Sequence, residues 1–226
     1  MESFFRREII ITEDGSSSIF LPGFGEHYHS VHGAVQESKH VFMDAGWEKV
    51  RAQKNKISIL EIGFGTGLNA FLVLKECLRD PAVHVKYTSL EAYPVSTEDA
   101  VQLNYAQNET EKNYFVRLHT SKWNEAEVLT ENFTLEKVRI KLKDFVPGKE
   151  VYDLIFFDAF SPNMQPELWT EEVFQKMFES LKSGAVLVTY CAKGQVRRNM
   201  QAAGFVVERL KGPPGKREMI RAGKKT

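Results

Sequence analysis

Ten consecutive residues constrain the fold of this chain more than any other segment. They run from Leu60 to Asn69 and read Leu-Glu-Ile-Gly-Phe-Gly-Thr-Gly-Leu-Asn. An apolar stretch with strand character, 57–62, leads into the glycines, and the periodic apolar residues of 68–78 predict a helix after them. A strand, a glycine-rich turn and a helix form the unit that holds a nucleotide-like ligand at a helix N-terminus.

The spacing of the glycines distinguishes between classes of ligand. Dinucleotide-binding loops require G-x-G-x-x-G, and Leu68 stands where the third glycine would be. The charge of Glu61 would repel a pyrophosphate but suits a ligand with hydroxyls and a cationic amino group. S-adenosylmethionine has those groups. The predicted cofactor contacts in this segment are Glu61, Gly63, Phe64, Gly65, Gly67 and Asn69.

Composition and charge limit the other classes of protein. The chain has 226 residues, 42% hydrophobic and 27% charged, which is typical of one globular domain. No apolar run approaches about 18 residues and no signal-peptide core is present, so we expect no membrane span and a cytoplasmic location. Neither the two cysteines nor the six histidines have metal-ligand spacing, so no metal is expected.

The charge of this neutral chain is unevenly distributed. Residues 193–226 carry ten Lys or Arg and only two Glu. Such a basic end is either a footprint for a polyanion or a solvated tail, and charge alone does not distinguish these alternatives.

Strand and helix patterns alternate along most of the chain, which predicts a mostly parallel, doubly wound α/β sheet. A hairpin at 8–12 and 18–21 and a helix ending near Gly46 are predicted before it. The predicted strands are 57–62, 83–91, 135–142, 152–158, 185–190, 205–210 and 217–222. The predicted helices are 68–79, 96–107, 167–182 and 194–203. We predict a single domain over 1–226, with an appendage at 1–50 and a cofactor-binding core at 57–226.

Acidic residues end three further predicted strands, where open α/β sheets bind ligands. Glu91 is predicted to accept hydrogen bonds from ribose hydroxyls. Asp144 is predicted to accept from an adenine amino group, with Phe145 stacked on the ring. Asp158 begins a loop stiffened by Pro162 and is predicted to face the reacting centre. Glu91 and Asp144 also fit ordinary roles as surface and turn residues.

The segment Gly212–Glu218 places two prolines between glycines and carries Lys216 and Arg217. It is either a bare hairpin turn or a loop that contacts RNA.

Several of these segments resemble one family, the MnmC-type tRNA methyltransferase domain. The resemblance rests on Glu61–Asn69, on Asp158–Pro162 with Pro166–Trp169, on Gly212–Glu218 and on the entry segment Tyr28-His29-Ser30. It covers nearly the whole chain and implies a Rossmann-like class I methyltransferase fold with S-adenosylmethionine as cofactor. The implied reaction is N-methylation of 5-aminomethyl-(2-thio)uridine at the tRNA wobble position, with the anticodon region as partner.

Roles for individual residues follow from the same resemblance and from the positions of the residues. Asp158 is expected to contact the cofactor, to orient the amine and to accept its proton. The predicted substrate contacts are Tyr28, Ser30, Phe160, Pro162, Trp169, Lys216 and Arg217.

Bifunctional members add an FAD-dependent oxidase domain, for which 226 residues leave no room, so a stand-alone methyltransferase is expected. We also expect it to be a monomer. Cys191-Ala192-Lys193 departs from the small residues usual there.

Two other functions stay open at this point. One is a small-molecule or protein N-methyltransferase on the same fold, and the basic end of the chain favours RNA over it. The other is a non-catalytic RNA-binding module. The acidic residues at four strand ends argue against that second alternative.

Overall fold

The computed structural model of the chain describes residues 6–225 and centres on an eight-stranded sheet. Numbered along the chain, the strands are β1 (Glu8–Ile11), β2 (Ser17–Leu21), β3 (Glu26–His27), β4 (Lys56–Ile62), β5 (His84–Glu91), β6 (Ala126–Thr130), β7 (Phe133–Arg139), β8 (Tyr152–Phe157), β9 (Leu181–Thr189), β10 (Val206–Lys211) and β11 (Glu218–Gly223). The order across the large sheet is β10-β11-β9-β8-β4-β5-β7-β6. Its central strands, β9 to β7, pair in parallel, and the edge pairs are antiparallel.

Helices cover both faces of this sheet. They are α1 (Ala34–Ser38), α2 (Glu48–Arg51), α3 (Leu68–Arg79), α4 (Thr97–Ala100), α5 (Glu109–Thr120), α6 (Glu171–Ser180) and α7 (Gly194–Ala202). A π-helical stretch, Lys39–Trp47, joins α1 to α2, and short 3-10 turns lie at Leu142–Asp144 and Pro166–Trp169. The predicted doubly wound, Rossmann-like α/β fold is confirmed.

The strand β8 shows how the two faces are filled. Every one of its residues is buried, and side chains along a strand alternate between faces. Phe156 packs in the core beneath α3 and α5, whereas Phe157 packs in the core beneath α6 and α7. The run Leu154–Phe157 is apolar on both faces, as expected of a central parallel strand, whereas the buried Asp153 at its start is paired with Lys54 and Lys182.

The helix predicted to end near Gly46 instead continues to Arg51. Gly46 lies inside the π-helical stretch, where a Cβ would stand 2.9 Å from Val188 Cγ2 and 3.2 Å from the Phe156 ring. The glycine therefore lets this helix approach the sheet closely, and it does not end the helix. In this way the N-terminal segment is packed directly on the core.

The region between β5 and β8 differs most from the predicted pattern. The helix predicted at 96–107 is only Thr97–Ala100, and Asn104 beyond it accepts a hydrogen bond from the Ser17 backbone N–H at 2.7 Å. Helix α5 and strand β6 were not predicted. A capping signal did precede α5, since the Asn108 side chain accepts from the Glu111 N–H at 2.9 Å.

Candidate active site

A cavity of about 820 Å³ opens at the carboxyl ends of the parallel strands β4, β5 and β8. This is the edge at which open parallel sheets bind ligands. Its walls come from the loops that follow these strands, from residues 140–143 and from residues 26–32 of the N-terminal segment. The core and the N-terminal segment therefore form one site together.

The glycine loop after β4 forms the floor of the cavity. The Gly63 and Phe64 N–H groups donate to the Leu90 carbonyl at 2.9 and 3.2 Å, which fixes the loop to the end of β5. Gly63 has φ +94°, and a Cβ there would lie 2.6 Å from the Asp158 carbonyl oxygen. Glycine is required at this position on both grounds, because it lets the loops after β4 and β8 approach each other.

Asp158 stands beside this loop and faces the cavity. Its Oδ2 accepts a hydrogen bond from Asn69 Nδ2 at 2.9 Å, which orients the carboxyl group. Burial, helped by the nearby Glu37 carboxylate, raises the pKa of Asp158 to about 7. The carboxyl group can therefore take up or release a proton near neutral pH.

Glu61 lies beneath the loop and does not line the cavity, in contrast to the predicted cofactor contact. It is fully buried on β4 and accepts a hydrogen bond from the Ser89 hydroxyl at 2.6 Å. Burial raises its pKa to about 8, so its neutral form is favoured at pH 7. The argument that its charge repels a pyrophosphate therefore loses its basis, and the Glu61 carboxyl group instead joins β4 to Ser89 of β5 below the glycine loop.

Glu91 lines the cavity at the end of β5. Its carboxylate accepts hydrogen bonds from the Gly65 N–H at 3.1 Å and from the Tyr93 N–H at 2.8 Å. It therefore shapes the glycine loop and still has lone pairs for a ligand.

Besides Glu61, three of the predicted cofactor contacts lie outside the cavity lining. Strand β7 ends at Arg139, and the wall beyond it is made by residues 140–143. Asp144 is exposed, and neither it nor Phe145 reaches the cavity. Gly67 faces away, since a Cβ there would lie 2.9 Å from His119 Nε2.

The predicted substrate contacts divide into two groups. Those that line the cavity are Tyr28, Ser30, Phe160 and Lys216. Tyr28 and Phe160 pack edge to face, with ring centroids 5.1 Å apart. Pro162, Trp169 and Arg217 do not line it. The buried Trp169 supports the loop instead, because its indole N–H donates to the Phe160 carbonyl at 2.9 Å.

Three cavity residues absent from the predicted contacts lie at the same end of the cavity as Asp158. They are Glu26, Glu37 and Tyr190. The Tyr190 hydroxyl donates to the Ala159 carbonyl at 2.8 Å. Burial is the main cause of the raised pKa of Tyr190, and further causes include the carboxylates of Asp158, Glu37 and Glu26. Glu37 and Tyr190 belong to segments that resemble the family, but no role in the site is predicted for them. The three residues come from separate segments of the chain, so only the packing of the fold shows that they share one end of the cavity.

Two other features are absent from the described part of the chain. No group of three or more His, Cys, Asp or Glu side chains in residues 6–225 is arranged to hold a metal ion. No helix formed by these residues has the length and apolar character needed to cross a membrane.

Comparison with known proteins identifies the family. A family model described as S-adenosyl-L-methionine-dependent methyltransferase matches residues 95–225. This chain belongs to that family. The predicted cofactor and the methyltransferase class are thereby confirmed.

Similar proteins carry a more specific name. The "tRNA 5-methylaminomethyl-2-thiouridine biosynthesis bifunctional protein MnmC" of Leptospira borgpetersenii is 31% identical over 215 residues, covering 87% of this chain and 32% of the relative. That of Cupriavidus metallidurans is 29% identical over 231 residues, covering 94% and 33%. The chain thus spans about a third of the length of these relatives.

Solved structures agree with this family. MnmC2 from Aquifex aeolicus is 26% identical with a TM-score of 0.80, over 96% of this chain and 70% of that one. A probable spermidine synthase from Corynebacterium glutamicum shares the fold, with a TM-score of 0.56 at 16% identity over 97% of this chain and 77% of that one.

The residues of the cavity fit S-adenosylmethionine. Gly63 and Gly65 line the cavity without side chains, so a ligand can approach their backbone closely. The Glu91 carboxylate stands where ribose hydroxyls are bound in sheets of this type. Asn69 Oδ1 is buried at the cavity and has no hydrogen-bond partner among residues 6–225. A buried acceptor of this kind needs a donor, which a ligand ammonium group supplies.

Proposed function

We propose that this chain transfers a methyl group from S-adenosylmethionine to the primary amine of 5-aminomethyl-(2-thio)uridine at the wobble position of tRNA. The observation that carries this proposal is the acidic end of the cavity. Glu26, Glu37 and Asp158 all lie close enough to the Tyr190 hydroxyl to raise its pKa. Glu37 is buried, and Glu26 and Asp158 are partly buried in the cavity wall. Carboxylates placed in this way attract and orient an alkylammonium group, whereas they disfavour an acidic acceptor.

The cofactor is held, in this proposal, by the backbone of Gly63–Gly65, the Glu91 carboxylate and Asn69 Oδ1. When bound, it supplies an electrophilic methyl group on a sulfonium. Glu91 is already held by two backbone N–H groups, so its position costs little further ordering.

Asp158 orients the amine and accepts its proton. A free alkylamine resembles lysine, with a pKa of about 10, and only its neutral form is a nucleophile. With S-adenosylmethionine bound, the new N–C bond would form as the S–C bond breaks and S-adenosylhomocysteine leaves. Before that attack the substrate ammonium must lose a proton, which the Asp158 carboxylate is placed to accept. A carboxylate with a pKa of about 7 is matched to this transfer near neutral pH.

The nature of the acceptor is supported by the names of the relatives and by the distribution of charge. Both relatives act, by name, in the biosynthesis of 5-methylaminomethyl-2-thiouridine in tRNA. The basic segment 193–226 includes the exposed Arg217 beside the cavity-lining Gly215 and Lys216. We include docking of the anticodon region and action as a monomer in the cytoplasm in this proposal.

The decisive test is methyl transfer in vitro, analysed by mass spectrometry of tRNA nucleosides. The protein is incubated with S-adenosylmethionine and with tRNA from cells that lack this methyltransferase and accumulate aminomethyluridine. We expect conversion of that nucleoside to its methylaminomethyl form. Transfer to polyamines or proteins but not to tRNA would refute the proposal in favour of another N-methyltransferase. Cofactor binding without transfer to any acceptor would indicate a non-catalytic module.

A further inference from the structure

Lys216 was predicted to contact tRNA phosphate, but its side chain points into the cavity. It forms an ion pair with Glu37 Oε1, and its Nζ lies 3.9 Å from the centroid of the Tyr190 ring. Its side chain is 32% exposed and that of Glu37 only 8%, so this pair is largely shielded from water. A lysine engaged in this way has little freedom to reach a phosphate.

The turn that carries Lys216 is built to aim it inward. The Gly212 N–H donates to the Arg217 carbonyl at 3.1 Å, and the Lys216 N–H donates to the Pro213 carbonyl at 2.9 Å. At Gly215, which has φ +80°, a Cβ would lie 2.1 Å from His32 Cδ2. Only glycine therefore allows the turn to pack this closely against the N-terminal segment.

Both partners of Lys216 are themselves fixed beside Asp158. Glu37 Oε2 accepts a hydrogen bond from the Ser30 N–H at 2.7 Å. The Tyr190 hydroxyl donates to the carbonyl of Ala159, the residue after Asp158. Lys216 thus joins the N-terminal segment, the loop after β8 and the C-terminal turn at one point.

We propose that Lys216 is a positioning residue of the acceptor pocket, which holds the Glu37 carboxylate and the Tyr190 ring in place around Asp158. This inference rests on the proposed function, since the acceptor is the tRNA amine. In this inference the residue of the turn that contacts tRNA phosphate is Arg217, which is exposed and lies outside the cavity lining.

The charges around Asp158 determine how its titration responds to a change at Lys216. The titratable groups near Asp158 are Glu37 from α1, Glu61 from β4, Tyr87 from β5, Tyr190 after β9 and Lys216 from the turn. Lys216 lowers the pKa of Asp158, and Glu37 raises it. Removing the lysine cation therefore moves the titration of Asp158 to higher pH.

The test compares Lys216→Met with Arg217→Met, with Lys216→Arg as the rescue variant. Lys56→Met at the start of β4, on the opposite edge of the sheet, controls for loss of a lysine. For Lys216→Met we expect kcat/KM for tRNA to fall about ten- to a hundredfold, because misplaced catalytic groups cost factors of this size. We also expect the pH midpoint of kcat/KM to rise and Lys216→Arg to restore it. S-adenosylmethionine affinity, which reports the folded state, should stay unchanged.

The salt dependence of tRNA binding separates the two roles. Arg217→Met should reduce the log–log slope by about 0.7 to 0.9, as expected for one lost phosphate contact, while Lys216→Met should leave it unchanged. A reduced slope for Lys216→Met, with its saturating rate and pH midpoint unchanged, would overturn the inference. If Lys216→Met also lost cofactor affinity, Lys216→Arg would be the deciding variant. A Lys216→Arg protein that did not restore the wild-type pH midpoint would then overturn the inference. If the wild-type protein transferred no methyl group to tRNA, the proposed function would fail and this inference with it.

Discussion

Replacing Asp158 by Asn tests the proposed proton acceptor most directly. The amide keeps the size of the carboxyl group, and its oxygen can still accept the hydrogen bond from Asn69 Nδ2. It cannot take a proton. Binding of S-adenosylmethionine and of tRNA should therefore change much less than the rate of transfer, which we expect to fall by about 10²–10⁴-fold.

The pH dependence of this effect follows from the pKa of Asp158, which burial raises to about 7. With that value, about a tenth of the wild-type protein carries the carboxylate at pH 6 and about nine-tenths at pH 8. The protein becomes active as the group loses its proton, so activity rises with pH through this window. The substrate amine titrates in both proteins alike. The ratio of wild-type to Asp158→Asn activity should therefore rise about tenfold between pH 6 and pH 8.

The assay is kcat/KM with both substrates subsaturating, because that parameter reports the titration of the free enzyme. Calorimetric titration of each variant with S-adenosylmethionine controls for the integrity of the site. A ratio that stays constant from pH 6 to pH 8 would show that Asp158 only orients the amine and that water takes the proton. Full activity of Asp158→Ala would remove the residue from the mechanism altogether.

Three further substitutions probe the cofactor site. Gly63→Ala should weaken S-adenosylmethionine binding about ten- to a hundredfold by calorimetry, since its Cβ would meet the Asp158 carbonyl and strained backbone costs about 1–3 kcal/mol. Glu91→Gln should weaken it similarly, because a charge-assisted hydrogen bond contributes about 1.5–3 kcal/mol. Glu61→Gln should increase the free energy of unfolding, measured with urea, more at pH 9 than at pH 6. Folding raises the pKa of Glu61 from 4.5 to about 8, so wild-type stability is lost as pH rises through that value.

Each of these expectations has a matched control or a contrary result. Gly15→Ala has a similar positive φ of +82° but meets no atom within 4 Å, so it measures the backbone cost alone. The close-approach argument would be contradicted if Gly63→Ala and Gly15→Ala lowered stability equally and Gly63→Ala left the cofactor affinity unchanged. Unchanged affinity for Glu91→Gln would remove the ribose contact. Equal gains at both pH values for Glu61→Gln would show that Glu61 is ionised in the folded protein.

Much of the fold could be predicted from local sequence. Strand β8 and helix α3 were predicted almost to the residue. The strand is buried on both faces and the helix on one face, and each kind of burial produces its own apolar pattern in the sequence. The glycine loop was recognisable for a related reason, since positive φ angles restrict the choice of residue at Gly63 and Gly65. Helix α5 was missed, although Asn108 marks its start, because its apolar residues are few and its surface is highly charged.

The site itself was only partly predictable. The positions of Asp158 and Glu91 follow from a general property of parallel sheets, whose strand ends meet at one edge. The sequence pattern alone therefore determined the fold class, the edge of the sheet at which the cavity opens and the acidic residues at that edge. The tertiary structure decided which of them reach the cavity, because the strand ends and turns are fixed by packing: β7 ends at Arg139, and Asp144 lies beyond it in an exposed 3-10 turn. It also decided that Glu37, Tyr190 and Lys216 meet around Asp158, since segments distant along the chain are brought together only by packing across the core.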